Sequence, residues 1–173
     1  MKQHLLKLLV FTMLLMSGMM TQAAIAQQGV VWESKFYNNG LLQGPEIIRR
    51  QDSAIAFNWG QGSPGSKVNA DNFTARFGTD VYLPEGSYRF YVLADDGVQL
   101  FVDFNNLIIN TFNQPRPGQL LTADIRLGAG THHLQLDYRE VTGDAYVFLS
   151  WADLATNPTG PNFPVSSAQP PAR

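Results

Sequence analysis

The pair Asp95-Asp96, followed by Gly97, is the part of this sequence whose residue types and spacing point most directly to chemistry. Two adjacent carboxylates repel each other, and Asp is a poor strand former. One interpretation is a solvated turn, because Asp and Gly are common turn residues. The other is a site for a hard cation such as Ca²⁺, which prefers clustered carboxylate and carbonyl oxygens. Taken alone, these residues favour the turn.

The stretches on either side of the pair must position it, and both alternate as strands do. Apolar residues recur at every second position before the pair and again after it. They are Tyr88, Phe90 and Val92 on one side, and Val98, Leu100 and Val102 on the other. A period of two places one row of side chains on a buried sheet face. The sequence therefore predicts two strands that meet at an acidic corner, the name used below for Asp95, Asp96 and Gly97.

The neighbouring residues His132 and His133 are a second candidate for a metal site or a catalytic base. Neighbours on a strand point to opposite sides of the sheet, so the two imidazoles cannot easily share one ion. We predict that one points inward and the other outward, without a functional role.

Catalysis finds little support in the sequence. A glycosidase needs two carboxylates held several ångströms apart across the scissile bond. Asp95 or Asp96 could be paired with Glu140 for this purpose, but a shared metal ion would use the same oxygens. The sequence contains no Gly-x-Ser-x-Gly elbow, phosphate-binding loop or nucleotide fingerprint. We predict that the protein is not an enzyme.

Residues 1–26 are typical of a signal peptide. Lys2 and Lys7 give a positive start, residues 8–20 form a short apolar run, and Ala24-Ile25-Ala26 offers small residues for a signal peptidase. We predict cleavage after Ala26 and export, so that the protein is secreted, extracellular or held at the cell surface. The apolar run is short for a permanent transmembrane helix, and no membrane insertion is expected after the leader is removed.

Composition limits the classes of partner. The 147 residues after the leader carry ten Lys or Arg and fourteen Asp or Glu, which gives a formal charge of −4. This mildly acidic balance argues against nucleic acid, which demands basic patches. The chain has no Cys, which excludes disulfides and thiolate metal sites. The remaining length suffices for one domain with its own core.

Short alternating segments separated by turn residues continue to about residue 151, and none shows a sustained helical period. Such a pattern predicts an antiparallel β-sandwich or barrel. Residues 41–50, which contain Gly44-Pro45, are expected to be irregular. From Ala155 onward the chain is rich in Pro and poor in apolar residues, which predicts an extended, mobile tail. The expected organisation is a signal peptide (1–26), one β-domain (27–154) and a disordered Pro-rich tail (155–173).

The order of these motifs resembles the PA14 domain family, a β-rich module first recognised in bacterial protective antigens and shared with glycosidases and fungal adhesins. The resemblance runs from about residue 32 to about residue 151. The matching motifs lie at residues 36–39, 42–45, 55–60, 63–64, 71–76, 86–90, 94–103, 128–130 and 136–145. The resemblance implies an all-β, antiparallel β-sandwich with short irregular segments and no long helix in the mature domain.

The resemblance also implies a metal site at the acidic corner. In the sugar-binding members, a cis peptide joins the matching Asp-Asp pair, and both carboxylates hold a Ca²⁺ that binds vicinal sugar hydroxyls. Glu140 stands where those members carry Asn as a third ligand, which adds a charge and leaves no amide donor for a sugar. The implied metal ligands are Asp95, Asp96, Glu140 and Asp144, and the implied glycan-binding set is Asp95, Asp96, Gly97 and Glu140.

Two functional hypotheses follow. The first is an exported, lectin-like module that binds glycans or cell-surface polysaccharide through Ca²⁺. The second is a structural or protein-interaction module with no sugar activity, in which Asp95-Asp96-Gly97 only turns the chain and the partner is a protein. The Glu140 substitution and the absence of an accompanying catalytic domain motivate the second hypothesis.

Overall fold

The computed structural model describes residues 29–160, and this range folds into ten β-strands without a helix. No helix capable of spanning a membrane occurs among these residues. The strands are β1 (Trp32–Tyr37), β2 (Ile48–Asp52), β3 (Ala56–Gly60), β4 (Phe73–Leu83), β5 (Gly86–Asp95), β6 (Gly97–Val102), β7 (Asn106–Asn110), β8 (Leu121–Leu127), β9 (Gly130–Glu140) and β10 (Ala145–Asp153).

The strands form two antiparallel sheets. The larger sheet has six strands in the order β2-β1-β4-β9-β6-β7, and the smaller has four in the order β3-β10-β5-β8. One continuous core of apolar side chains draws on strands of both sheets. The predicted fold class, an all-β antiparallel sandwich, is confirmed.

Alternation along the strands produces this core. On β4, Phe73, Ala75 and Phe77 point inward and are fully buried. Phe77 packs edge-on against Phe36 of β1, with ring centroids 5.9 Å apart. Aromatic pairs in this arrangement gain about 0.5–1.5 kcal/mol beyond the area they bury. The inward positions are therefore those that the period of two predicts.

The strand β2 was not expected. Residues 41–50 were predicted to be irregular, yet β2 begins at Ile48, which lies opposite Phe36 of β1. Most β2 side chains are polar or charged, and Arg49 forms an ion pair of 2.9 Å with Glu33 on β1. An edge strand of this kind shows no apolar alternation, because charged side chains are one way in which proteins protect exposed edges.

The described range bears only in part on the predicted ends of the domain. The predicted signal peptide, residues 1–26, lies outside it, as do residues 161–173 of the predicted tail. Residues 155–160 form turns against the end of β10 and are not extended. The Asn157 N–H donates to the Asp153 carbonyl at 2.8 Å, and the Gly160 N–H donates to the Asn157 carbonyl at 3.2 Å.

One end of the sandwich gathers most of the long connections, and we call it the corner end because it carries the acidic corner. Tyr37 at the end of β1 lies opposite Thr74, and Phe73 at the start of β4 lies opposite Glu140 at the end of β9. The loops at this end are residues 38–47, 61–72, 111–120 and 141–144.

Candidate functional site

The acidic corner is the point at which the chain passes from one sheet to the other. Strand β5 ends at Asp95 in the four-stranded sheet, and β6 begins at Gly97 in the six-stranded sheet. The peptide bond between Asp95 and Asp96 is cis, as the resemblance implied. The predicted meeting of two strands is confirmed, but the two strands belong to different sheets and do not pair with each other.

Gly97 allows the β7–β8 loop to lie directly against the corner. A Cβ atom added at Gly97 would stand 2.5 Å from the Phe112 carbonyl oxygen and 2.9 Å from its Cα. These are backbone atoms, so a flexible side chain could not move aside to make room. Gly97 thus contributes to the site through close packing.

The Asp96 carboxylate is held by the β9–β10 connection. The backbone N–H of Val141 donates to Asp96 Oδ2 at 2.8 Å. The neighbouring Asp95 is half-buried, and its pKa is raised to about 6, chiefly by desolvation and then by the charges of Asp96 and Asp144. Burial and like charge both disfavour the ionised form of a carboxyl group, so Asp95 is harder to ionise here than in water.

Glu140 is the last residue of β9, beside the acidic corner, and it is fully buried. Its Oε2 atom lies 2.8 Å from the hydroxyl oxygen of Tyr138, within hydrogen-bonding distance. Its Oε1 atom is buried and has no hydrogen-bond partner among the described residues. A buried acceptor without a partner is costly, so Oε1 is an oxygen that could still accept a hydrogen bond or bind a cation.

The protons around Tyr138 can be counted. Its hydroxyl contacts both Glu140 Oε2 and the Asp95 carbonyl oxygen. A hydroxyl has one proton to donate, and a carbonyl oxygen can only accept. Both contacts are satisfied together when Tyr138 donates to Asp95 and a protonated Glu140 donates to Tyr138.

The pKa of Glu140 agrees with that arrangement. It is raised to about 8, most strongly by burial and also by the charges of Asp96, Asp95 and Asp71. Asp71 had not been identified from the sequence, although it stands just before β4, whose first residue lies opposite Glu140. Its carboxylate also accepts a hydrogen bond of 3.0 Å from the Gly143 N–H, which ties the β3–β4 loop to the β9–β10 loop.

The four predicted metal ligands are neighbours, but they do not form a finished cage. The charge of Asp96 raises the pKa values of both Asp95 and Glu140, the charge of Asp95 also acts on Glu140, and the charge of Asp144 acts on Asp95. Within residues 29–160, no three His, Asp or Glu side chains converge as they stand into a group that could hold a metal ion. The chemistry of the donors fits Ca²⁺, because all are hard oxygen ligands and Glu140 Oε1 lacks a partner.

The two histidines do not form a shared site. The Nδ1 atom of His132 lies 2.9 Å from Asp103 Oδ2, and the Nδ1 atom of His133 lies 2.7 Å from Asp80 Oδ1. Each imidazole thus engages a different carboxylate, at the end of the sandwich away from the acidic corner.

Comparison with known proteins adds relatives of two kinds. The anti-sigma-I factor RsgI3 of Acetivibrio thermocellus is 31% identical over 121 residues, which are 68% of this chain and 18% of that protein. A solved anti-sigma factor domain-containing protein from Clostridium clariflavum is 28% identical with a TM-score of 0.63, over 73% of this chain and 43% of that one. The chain thus spans about a fifth of the curated relative and less than half of the solved one.

A second solved structure shares the fold at lower identity. The PA14 sugar-binding domain from an RTX adhesin has a TM-score of 0.53 and is 16% identical, over 74% of this chain and 91% of that one. The sequence profile of the PA14 domain matches residues 26–161, which are most of the chain and include every strand described above. The chain therefore belongs to the PA14 domain family.

Proposed function

We propose that this chain is an exported, non-enzymatic PA14 module that binds glycans through a Ca²⁺ held by Asp95, Asp96 and Glu140. The observation that supports it most strongly is the buried Oε1 atom of Glu140, which lacks a partner beside the carboxylates of the acidic corner. Asp144 is the further candidate ligand at the rim of the site.

Electrostatics explains why a cation would stabilise this arrangement. The carboxyl groups of Asp95, Asp96 and Glu140 share a partly buried space, and two of them have raised pKa values. Like charges in a medium of low dielectric cannot all ionise without compensation. A Ca²⁺ would supply that compensation and an electrophilic centre for sugar hydroxyls. The RTX adhesin domain of the same fold is described as sugar-binding, and we propose the same ligand class here.

A second candidate function is a protein-interaction module. It is favoured by the anti-sigma factor relatives, which are more similar in sequence to this chain than the adhesin domain is. In that role Asp95-Asp96-Gly97 would turn the chain between the sheets, and a protein partner would bind elsewhere.

A thermal melt of the purified protein in chelator and in millimolar Ca²⁺ tests the metal site. The expected result is a rise in melting temperature with Ca²⁺, because a ligand specific to the folded state stabilises it by mass action. The variant Asp96→Asn should lose this rise. Asp124→Asn is the matched control, because Asp124 lies on β8 away from the corner and pairs with Arg89. Equal melting temperatures in chelator and Ca²⁺ would contradict the calcium site.

A glycan array probed in Ca²⁺ and in chelator tests the ligand class. Signals that disappear in chelator and in Asp96→Asn are expected for the glycan-binding module. Capture of a protein partner that is unaffected by chelator, together with a silent array, would favour the second candidate.

A further inference from the structure

The positive side chains that lack an ion pair in the described range lie at one end of the sandwich. Residues 29–160 contain nine Lys and Arg residues, and six of them form ion pairs. These six are Lys35, Arg49, Arg50, Arg76, Arg89 and Arg126. The remaining three, Lys67, Arg116 and Arg139, form no ion pair with a carboxylate in the described range. Lys67 and Arg116 lie on loops of the corner end, and Arg139 lies near the end of β9, so all three lie at the same end of the sandwich as the acidic corner.

Of these three cations, Arg139 lies on a strand that pairs with the acidic corner. It immediately precedes Glu140, but it lies on the outer face of the sheet, and its Cα is paired with that of Gly97. Its Nη1 atom donates to the amide oxygen of Asn113 at 3.2 Å, and its Nε atom is buried without a partner. The side chain is thus fixed by a neutral amide, and its charge is left uncompensated.

The β1–β2 loop makes room for this guanidinium. A Cβ atom added at Gly40 would lie 3.3 Å from Arg139 Nε, 3.6 Å from Arg139 Nη2 and 3.4 Å from the amide oxygen of Asn72. Three loops of the corner end therefore meet around Arg139, through Gly40, Asn72 and Asn113. Asn72 directly follows Asp71, whose charge acts on Glu140, so this meeting point adjoins the acidic corner.

A second arginine on the same face shows what a purely structural role looks like. Arg76 makes two hydrogen bonds to Asp137, at 2.7 and 2.8 Å, and so neutralises a buried carboxylate. Asp137 stands two residues before Arg139 on β9, yet its carboxylate pairs with Arg76. Among the described residues, Arg139 has no carboxylate partner.

We propose that Arg139 forms an anion subsite beside the acidic corner and that the glycans recognised there carry a carboxylate, as uronic acids do. This inference rests on the proposed calcium-dependent glycan binding. Nε is covered by the β1–β2 loop, so the Nη1 and Nη2 edge is the part of the fork left for a ligand. Arginine is suited to this task, because its planar fork matches a carboxylate and stays charged at all relevant pH values.

The neighbouring residues fit the same ligand class. Asn72 and Asn113 are exposed and place amide groups beside the arginine, and amides are the donors that Glu140 cannot supply. Lys67 and Arg116 are exposed at the same end and add positive potential that attracts an anion. A sugar could then place its hydroxyls at the ion and its carboxylate at Arg139.

Short oligouronates in the free-acid form and the methyl-ester form provide the test, because esterification removes the charge and keeps the hydroxyl groups. Titration calorimetry of the purified protein in Ca²⁺ should show the acid form binding about tenfold or more tightly than the ester. Arg139→Gln should abolish that preference, and Arg139→Lys should keep part of it. Arg126→Gln removes the same charge at the far end of β8 and should leave the preference unchanged. Thermal melts of each variant verify folding.

The possible outcomes separate the two proposals. If the ester binds as tightly as the acid in Ca²⁺, or if Arg139→Gln keeps the preference, the anion subsite is wrong and calcium-dependent glycan binding stands. If neither form binds and a glycan array in Ca²⁺ is also silent, the proposed function is wrong and the subsite is wrong with it.

Discussion

The hydroxyl oxygen of Tyr138 lies 2.8 Å from the carboxyl group of Glu140, two residues later on the same inward face of β9. The same hydroxyl contacts the Asp95 carbonyl, so Tyr138 links the end of β9 to the acidic corner. The corner is therefore supported from inside the core, and its behaviour depends on residues that a ligand would not touch.

Removal of this hydroxyl should destabilise the fold. Tyr138→Phe preserves the ring but leaves the Asp95 carbonyl and the Glu140 carboxyl without their common partner. We expect a loss of about 1–3 kcal/mol in the free energy of unfolding, measured by urea denaturation. Tyr82→Phe is the control, because Tyr82 is 65% exposed and should change stability by less than about 0.5 kcal/mol. Equal effects of the two substitutions would argue against the buried network.

Stability in chelator should fall as the pH rises from about 5 to about 8. Glu140 has a pKa of about 8 in the folded state and an ordinary value near 4.5 when unfolded. Between these values the folded state binds more protons, so its stability is greatest at low pH and is lost as the pH rises through the folded pKa. Asp95, with a pKa of about 6, acts in the same direction.

The variant Glu140→Gln isolates the Glu140 contribution. Its free energy of unfolding should decline less between these pH values than that of the unmodified protein, because Gln does not titrate. A parallel decline in both proteins would show that another group carries the pH dependence.

Close packing at the corner predicts a cost for any side chain at position 97. Gly97→Ala would force a methyl group against the backbone of Phe112 and should destabilise by about 1–3 kcal/mol. Gly130→Ala is the matched control on β9, since nothing lies within 4 Å of its added Cβ. Chemical denaturation of both variants checks this prediction. An unchanged free energy of unfolding for Gly97→Ala would mean that the β7–β8 loop can move away.

The ion pair between Arg76 and Asp137 should matter more than those at the surface. Asp137 is 2% exposed, so Arg76→Met would leave a buried carboxylate without its cation. Arg76 itself is partly exposed, and we expect a loss of about 1–3 kcal/mol. Arg126→Met breaks the exposed pair with Glu85 and should cost about 0–1 kcal/mol. Melting temperatures of both variants check this ranking. A decrease for Arg126→Met as large as that for Arg76→Met would contradict it.

The local pattern of the sequence predicted most of the fold. Short alternating segments predicted the all-β fold and the strands on either side of the acidic corner, because the period of a strand is set by its own backbone and needs no distant partner. The miss was β2, whose charged residues, such as Arg49 and Arg50, carry no alternation and which becomes a strand only by pairing with β1. The position of Asp95 and Asp96 between two strands was predicted in the same local way.

The sequence by itself determined the all-β fold class, the acidic corner between two strands and the resemblance to the PA14 domain family. Only the tertiary structure decided that β5 and β6 lie in different sheets, that Asp71 and Tyr138 act on Glu140, and that Gly40 approaches Arg139. The physical reason is distance along the chain. Asp71 bonds to a residue 72 positions later, and such contacts arise from how strands pack, which no local period encodes.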